Sequence, residues 1–428
     1  MTTREDCARR DRGDTLAALR EQFVLPDGMI YLDGNSLGPL PRTAAPRVHQ
    51  VVEREWGAGL IGSWNTAGWI DMPKRVGDKI ARLVGAGAGE LLVADSTSVN
   101  LYKVLCAALD LARTDAPARN IILSERHNFP TDLYIAESLA RERGLELRLV
   151  EAGTIASHLD DGVAVLLLTH VNYRDGRMHS MRELNRAAHA ADVLTVWDLA
   201  HSAGAVPVDL SGGGNPDAAA DFAVGCGYKY LNGGPGAPAF VWAHPARTAR
   251  MDALALGQPL SGWLGHAAPF DFAPGYRPAP GIARFACGTP PIVSLAALEC
   301  GVDSVLAAET LGGMPALREK SLALTDLSIE LVDARCGGVG LTLRTPRDPA
   351  LRGSQVSYSR EEGAYAIMQA LIGRGVIGDF RAPDVLRFGL APLYTRHVDV
   401  WDAVEHLRQV LQSGEWRDAR FSARAAVT

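Results

Sequence analysis

The chain has 428 residues, of which 47% are hydrophobic and 21% are charged, and its formal net charge is −6. This is the composition of a globular protein with ample material for a core, and it argues against disorder over most of the chain. The acidic balance argues against a nucleic-acid-binding protein, which would usually show a basic face or tail.

The cysteines, the histidines and the apolar runs narrow the class of protein further. The six cysteines contain no C-x-x-C pair and the eleven histidines no H-E-x-x-H, so neither a disulfide framework nor a zinc site is indicated. Residues 1–14 are polar and lack the apolar segment of a signal peptide. Val163–Leu168, the most continuous apolar run, is far too short to cross a bilayer. We therefore expect a cytoplasmic protein with reduced cysteines and no membrane association.

The first half of the chain alternates strand-like and helix-like segments. Six apolar runs are predicted as strands: 89–95, 119–124, 163–169, 193–197, 222–224 and 238–242. Segments with the apolar spacing of helices lie between them, at 98–112, 132–143 and 182–190. This alternation predicts an α/β fold with a mainly parallel sheet and helices on both faces.

The second half changes character. Residues 257–291 are crowded with Gly and Pro and are predicted as a long irregular loop, of the kind usually found at functional sites or interfaces. Residues beyond about 300 are helix-rich, with strand candidates at 339–343 and 385–390. We predict an N-terminal arm (1–45) packing with the small domain, a large domain (46–299), and a small C-terminal α+β domain (300–428).

Two polar residues follow predicted strands of the sheet. Asp198 ends the apolar run 193–197, and Lys229 follows the strand 222–224 just before a glycine-rich turn. In a parallel sheet the carboxyl ends of the strands face the ligand crevice, so both side chains can meet a ligand there. Alone, Asp198 is equally compatible with a helix N-cap and Lys229 with a surface loop.

Together the two residues match the needs of pyridoxal 5′-phosphate (PLP). A lysine amine attaches the cofactor as a Schiff base, and a carboxylate keeps the pyridine nitrogen protonated. Residues 95–100, rich in Ser and Thr at a strand-to-helix junction, are suited to bind the phosphate. Phe129 can stack on the ring with Asp132 beside it, and Arg387 can pair with an amino-acid carboxylate. Each feature also has a purely structural interpretation: a helix cap, a loop aromatic and an edge-strand arginine.

The order of these features along the chain resembles the kynureninase family within the aspartate-aminotransferase fold (PLP fold type I). The resembling segments span nearly the whole chain: Leu32–Gly38 (LDGNSLG), Ser96–Leu101 (STSVNL), Phe129–Asp132 (FPTD), Trp197–His201 (WDLAH), Gly227–Asn232 (GYKYLN), Gly288–Pro291 (GTPP) and Arg387–Tyr394 (RFGLAPLY). The resemblance implies PLP-dependent cleavage of the Cβ–Cγ bond of L-kynurenine, giving anthranilate and L-alanine in tryptophan catabolism.

The resemblance also implies roles for individual residues. Catalysis would rest on Lys229, Tyr228 and Asp198. The other cofactor contacts would come from Thr97, Ser98, Phe129, Asp132 and His201. Trp263 and Thr289 would reach the phosphate of the neighbouring subunit's site, which implies a homodimer with shared active sites. Arg387 would hold the substrate carboxylate, and Ser36 and Trp64 would line the side where the aromatic ketone lies.

Two positions depart from animal members of the family. Some of these carry Asn where this chain has Thr289, and His where it has Trp64. Animal members favour the 3-hydroxylated substrate, so these differences favour unsubstituted kynurenine, with 3-hydroxykynurenine as a further substrate.

Other functions of the same fold stay open at this stage. A cysteine desulfurase or selenocysteine lyase would place His beside the lysine and need a mobile cysteine. Here Tyr228 precedes Lys229, but Cys336 lies in a Gly-rich stretch. A simple aminotransferase is a weaker alternative. A non-catalytic binding module is disfavoured because Lys229, Asp198 and Arg387 are all present.

Overall fold

A computed structural model describes residues 2–423. Residues 424–428, the end of the predicted small domain, lie outside the described residues. The strands are β1 (Phe23–Val24), β2 (Ile30–Tyr31), β3 (Leu40–Pro41), β4 (Leu91–Val93), β5 (Ile121–Glu125), β6 (Glu146–Val150), β7 (Val163–Thr169), β8 (Leu194–Asp198), β9 (Phe222–Gly225), β10 (Phe240–Ala243), β11 (Thr342–Leu343), β12 (Gln355–Ser359), β13 (Val376–Ile377), β14 (Asp379–Arg381) and β15 (Val385–Gly389).

The helices lie between and after these strands. They are α1 (Arg4–Arg12), α2 (Ala44–Gln50), α3 (Ser63–Thr66), α4 (Met72–Leu83), α5 (Thr97–Asp115), α6 (Pro130–Arg143), α7 (Met181–Ala190), α8 (Pro245–Ala253), α9 (Ile292–Leu306), α10 (Gly313–Arg335), α11 (Ala364–Gly373) and α12 (His397–Ser413). A π-helical turn, Val51–Ala58, continues α2. The predicted irregular loop 257–291 is confirmed, since it contains two short 3₁₀ turns and one isolated bridge.

The central sheet has seven strands in the order β4-β10-β9-β8-β7-β5-β6. The run from β9 to β6 is parallel, and β10 is antiparallel to both of its neighbours. All seven residues of β7 are buried, and its successive leucines face two different hydrophobic clusters. A strand buried on both faces is the pattern expected of a parallel sheet covered by helices, so the predicted α/β fold is confirmed.

A second sheet is built from the C-terminal part of the chain. Its order is β11-β12-β15-β14, all antiparallel, and it packs with α10, α11 and α12 over a separate cluster of buried residues. Residue 300 falls inside α9, where Leu295 and Leu298 belong to the core of the first sheet. The three-part division stays a prediction, and this packing favours a boundary after α9 rather than within it.

The N-terminal arm joins both parts. Strand β2 pairs with β13, and the Gly389 N–H of β15 donates to the Leu32 carbonyl over 2.7 Å. A few residues later the Gly38 N–H donates over 2.8 Å to the carbonyl of Tyr228. A Cβ on Gly38 would lie 2.5 Å from the Lys229 carbonyl oxygen, so this close approach requires glycine. Residues 32–38 therefore run from the second sheet to the loop that carries Lys229.

The start of the arm caps the last long helix. Asp11, in α1, accepts hydrogen bonds from the His397 backbone N–H (2.7 Å), the His397 ring (2.8 Å) and the Val398 N–H (3.0 Å) at the first turn of α12. Burial raises the pKa of Asp11, but these hydrogen bonds outweigh burial and hold it below its ordinary value. The carboxylate thus supplies acceptors that the N-terminus of α12 would otherwise lack.

Replacing Asp11 by Ala is expected to destabilise the protein by about 1–3 kcal/mol, since charge-assisted hydrogen bonds and a helix cap are lost. Because the folded-state pKa of Asp11 is lowered, this contribution is present above the ordinary carboxyl pKa and is lost as the pH falls through the folded-state value. Urea unfolding at neutral and acidic pH measures both effects. The exposed Asp161→Ala is the control, and an equal loss in the two variants at neutral pH would contradict the cap.

Candidate active site

Three neighbouring strands place polar residues at one edge of the central sheet. The register pairs Thr169 at the end of β7 with Asp198 at the end of β8, and Asp198 with Val224 of β9. Lys229 lies in the turn that follows β9, four residues after its last residue, Gly225. Because these strands are parallel, their carboxyl ends open to the same crevice. The sequence-predicted Asp198 and Lys229 are therefore brought together, and Thr169, which sequence reasoning missed, lies beside them.

The Lys229 amine lies among aromatic and imidazole groups. Its Nζ is 2.9 Å from His201 Nε2, 5.9 Å from the centre of the Phe129 ring and 5.7 Å from that of Tyr228. Desolvation by the surrounding protein lowers the pKa of Lys229, although Cys226 and Asp198 oppose this. Burial and the lysine charge lower the pKa of His201 well below its usual value. The pair can therefore hold a neutral amine, the form that attacks a carbonyl carbon.

Two buried carboxyl groups lie near this amine. Asp198 is 3% exposed and accepts a hydrogen bond from the Ala200 N–H over 2.8 Å. Asp132, in the first turn of α6, is 2% exposed. Burial raises the pKa of both, with the charge of Asp198 adding to the effect on Asp132 and that of Lys229 opposing it on Asp198. A buried acid beside a lysine suits a ligand that brings its own cationic nitrogen.

Phe129 and the Ser/Thr turn lie on either side of these groups along the sheet edge. Phe129 precedes α6, is 36% exposed and packs edge-to-face on Tyr173 with ring centres 5.2 Å apart. Thr97 and Ser98 open the 19-residue helix α5. Since β4 runs in the same direction as β9, this helix N-terminus emerges at the same edge as Lys229. An aromatic face, a helix N-terminus and a lysine at one edge fit a flat ring that carries an anionic group, such as PLP with its phosphate.

Arg387 lies on the second sheet and is 1% exposed. Its Nη1 donates to the Tyr173 carbonyl over 2.6 Å, and its Nη2 donates to Ser36 Oγ over 2.7 Å and to Asp379 Oδ2. The register places Asp379 directly opposite on β14, where it also accepts a hydrogen bond from Ser36 and forms an ion pair with Arg381. The buried Nε of Arg387 has no partner in the described chain. A buried cation with a free donor can receive a carboxylate.

Ser36 and Trp64 take positions that sequence reasoning did not give. Ser36 was predicted to line the ketone side; its hydroxyl accepts from Arg387 and donates to Asp379, which places it beside that arginine. Trp64 packs edge-to-face on Trp69 with ring centres 5.8 Å apart, so within one chain its position is explained by packing.

Trp263 and Thr289 lie in the Gly/Pro-rich loop, and both are exposed. Neither makes a hydrogen bond or ring contact with Lys229 in the described part of the chain. The loop exposes further aromatic side chains, with Phe270 at 64% and Phe272 at 77%. Their exposure is compatible with a surface that another protein covers.

Asp379 was also missed, and it holds Arg387 in place. Asp379→Asn removes the charge that faces Arg387 and Arg381, so the two cations repel and Arg387 loses its fixed orientation. We expect KM for an α-amino-acid substrate to rise about ten- to hundredfold, with a smaller change in kcat, as for a lost charge-assisted hydrogen bond. Steady-state kinetics measure this split. Asp384→Asn is the control, because it removes a carboxylate from the same hairpin that forms ion pairs with Arg174 and Arg344. A fall in KM would instead mean that Asp379 competes with the substrate.

Comparison with known protein families shows which family the chain belongs to. Residues 30–337 match the family described as aminotransferase class-V, and residues 317–407 match the kynureninase C-terminal domain. Proteins named Kynureninase from Burkholderia pseudomallei (strain 1106a) and from Pseudomonas fluorescens are 56% and 53% identical over 431 residues, covering 100% of both chains in each case. The chain belongs to the kynureninase family.

Solved structures similar to this kynureninase-family chain share its fold at low sequence identity. The apo cysteine desulfurase from Thermococcus onnurineus NA1 has a TM-score of 0.75 at 18% identity, and covers 92% of this chain and 98% of its own. A C-DES mutant with glycine covalently linked to its PLP cofactor has a TM-score of 0.74 at 15% identity, over 91% and 98%. These similarities confirm the predicted PLP fold type I architecture, and at such identities they establish the fold alone.

Proposed function

We propose that this chain is a PLP-dependent hydrolase that converts L-kynurenine and water to anthranilate and L-alanine in tryptophan catabolism. The observation that carries the proposal is identity above 50% over the full length to proteins named Kynureninase. The site geometry supports it independently, because the chain has a lysine of lowered pKa, a buried carboxylate and a buried arginine at one crevice. Trp64 and Thr289 favour unsubstituted kynurenine, with 3-hydroxykynurenine as a further substrate.

The donors present fit PLP. Lys229 would carry the cofactor, Asp198 would face the ring nitrogen, Phe129 would stack on the ring with Asp132 and His201 beside it, and the turn at Thr97 and Ser98 would receive the phosphate. When bound, PLP supplies the electron sink that lets protons leave the substrate carbons and the Cβ–Cγ bond break.

The chain's own residues would then handle protons and orientation. Lys229, with its lowered pKa and His201 2.9 Å away, would take a proton from Cα and return it. Tyr228 would give a proton to Cβ when the bond to Cγ breaks, since burial keeps its phenol protonated by raising its pKa. Arg387, with Ser36 beside it, would hold the substrate carboxylate. Trp64 would contact the aromatic ketone only if another subunit brings it there.

A cysteine desulfurase reaction is disfavoured by the state of Cys336. Such an enzyme needs a mobile nucleophilic thiol. Cys336 is 5% exposed at the end of α10, and burial raises its pKa to about 11. A thiol so buried is protonated and fixed at neutral pH, so it is a poor nucleophile.

A homodimer with shared sites completes the proposal. Trp263 and Thr289 would reach the phosphate of the partner's cofactor. This accounts for their exposure and for the lack of any hydrogen bond or ring contact between them and Lys229 within residues 2–423. The six cysteines are free and no helix within residues 2–423 is long and apolar enough to cross a membrane. The free thiols favour the predicted cytoplasmic location.

Product analysis tests the reaction directly. The PLP-loaded protein incubated with L-kynurenine should release anthranilate, detected by its fluorescence, and alanine in equal amounts. Lys229→Ala should reduce turnover by at least about a thousandfold because the nucleophilic amine is lost. A yellow protein that makes no anthranilate would remove the substrate assignment but keep the cofactor assignment, and release of sulfide from cysteine would then favour the desulfurase alternative.

Mixed dimers test the shared site. Lys229→Ala and Trp263→Ala chains should each be weakly active alone. In a mixed dimer one site combines the intact Lys229 of one chain with the intact Trp263 of the other, so activity should recover toward half that of the unmodified dimer on a per-dimer basis. Mixing either variant with itself is the control. Failure of the mixture to recover activity, with subunit exchange shown by mass, would exclude a site that spans both chains.

A further inference from the structure

The polar residues behind Phe129 form a chain whose hydrogen-bond directions can be fixed one at a time. The side-chain oxygen of Asn128, a residue only 4% exposed, accepts a hydrogen bond from the Phe129 backbone N–H over 2.7 Å. A backbone N–H can only donate, so the atom of the carboxamide that faces it must be the oxygen. The usual ambiguity between the oxygen and nitrogen of an asparagine is thereby removed.

The other end of Asn128 agrees with this orientation. Its Nδ2 donates to Ser124 Oγ over 3.1 Å, and the Ser124 hydroxyl donates to the Leu167 carbonyl over 2.7 Å. Since the proton of Ser124 is used by that carbonyl, its oxygen is free to accept from Asn128. Both ends therefore turn the Asn128 oxygen toward Thr169.

Thr169 connects Asn128 to Asp132. Its hydroxyl donates to the Asn128 oxygen and lies 3.3 Å from Asp132 Oδ2. A hydroxyl has one proton, and the Asn128 oxygen can only accept, so that proton points to Asn128. Thr169 thus presents lone pairs to Asp132. The lone pairs of an ionised Asp132 carboxylate would repel those of the Thr169 oxygen. A protonated Asp132 can instead donate a hydrogen bond to that oxygen.

We infer that Asp132 is held as the neutral acid, donating its proton to Thr169, and that Asn128 is the positioning residue that enforces this direction. Burial and the charge of Asp198 on β8 also favour the neutral form of Asp132, and they outweigh the opposing charge of Lys229. Two carboxyl groups so close and so buried do not both ionise readily. The negative charge is then left to Asp198, which is the residue proposed to face the ring nitrogen. This inference rests on the proposed cofactor site but not on the proposed substrate.

Infrared difference spectroscopy of the PLP-loaded protein tests the protonation directly. At neutral pH the spectrum of the unmodified protein minus that of Asp132→Asn should show the carbonyl stretching band of a protonated carboxylic acid, shifted in D₂O. In Asn128→Leu the Thr169 proton is free to turn to Asp132. The titration midpoint of the band should then fall by about one pH unit or more, as expected when a hydrogen bond to the neutral form becomes one to the charged form.

Asn172→Leu is the matched control. Asn172 is 3% exposed and also holds a turn at the site, accepting from the Arg174 N–H and donating to the His127 carbonyl, each over 2.9 Å. Its loss should leave the midpoint unchanged. An equal shift in the two leucine variants would overturn the role of Asn128, and the absence of an acid band sensitive to Asp132→Asn would overturn the inference as a whole.

The experiment separates this inference from the proposed function. If Asn128→Leu does not fold, the infrared difference spectrum between the unmodified protein and Asp132→Asn still shows whether Asp132 is the neutral acid. The band requires no kynurenine, so a protein that makes no anthranilate can still show it. A protein that makes anthranilate without the band would retain its function and lose the inference.

Discussion

The alignment of parallel strands β7, β8 and β9 is the constraint on which the site depends. Their carboxyl ends stop at the same level, so residues far apart in sequence come within a few ångströms of each other at one crevice. A low-dielectric environment strengthens every interaction between these groups and makes an unpaired charge expensive. The fold thus buries the ionisable groups of Asp132, Asp198 and Lys229 at an unfavourable desolvation free energy. A bound ring with a cationic nitrogen would offset this by pairing with the carboxylate charge.

The second sheet contributes Arg387 to this arrangement, and the orientation of its guanidinium is fixed by several partners. Arg387 is buried on β15, and its neighbours come from three different parts of the chain: Ser36 of the arm, Tyr173 of the turn after β7 and Asp379 of β14. A buried arginine with only one partner would cost stability, whereas a satisfied network fixes its direction. The Nε of Arg387 has no partner within residues 2–423, so it could donate to a ligand.

Much of this arrangement can be predicted from the sequence because short local segments of the chain carry the signal. Apolar runs that end in a polar residue revealed Asp198 and Lys229, and the same signal, an apolar run ending in Thr169, was present but not used. Strand β6 was not predicted because it is an edge strand in which Glu146 and Arg148 interrupt the apolar pattern. Asp379 gives no local signal, since its role depends on cross-strand register. The position of Ser36 depends on the path of the N-terminal arm, which the hydrophobic periodicity of the sequence does not predict.

The arm from Leu32 to Gly38 has a consequence for selectivity. It is anchored at one end to the strand that carries Arg387 and at the other to the loop that carries Lys229. Because this short segment is anchored at both ends, it holds the strand that carries the guanidinium and the loop that carries the amine at a fixed separation. In the proposed site, this separation would match the backbone that all α-amino acids share rather than the groups beyond Cβ. Discrimination among side chains is left to other surfaces, which can therefore diverge between relatives without disturbing the chemistry.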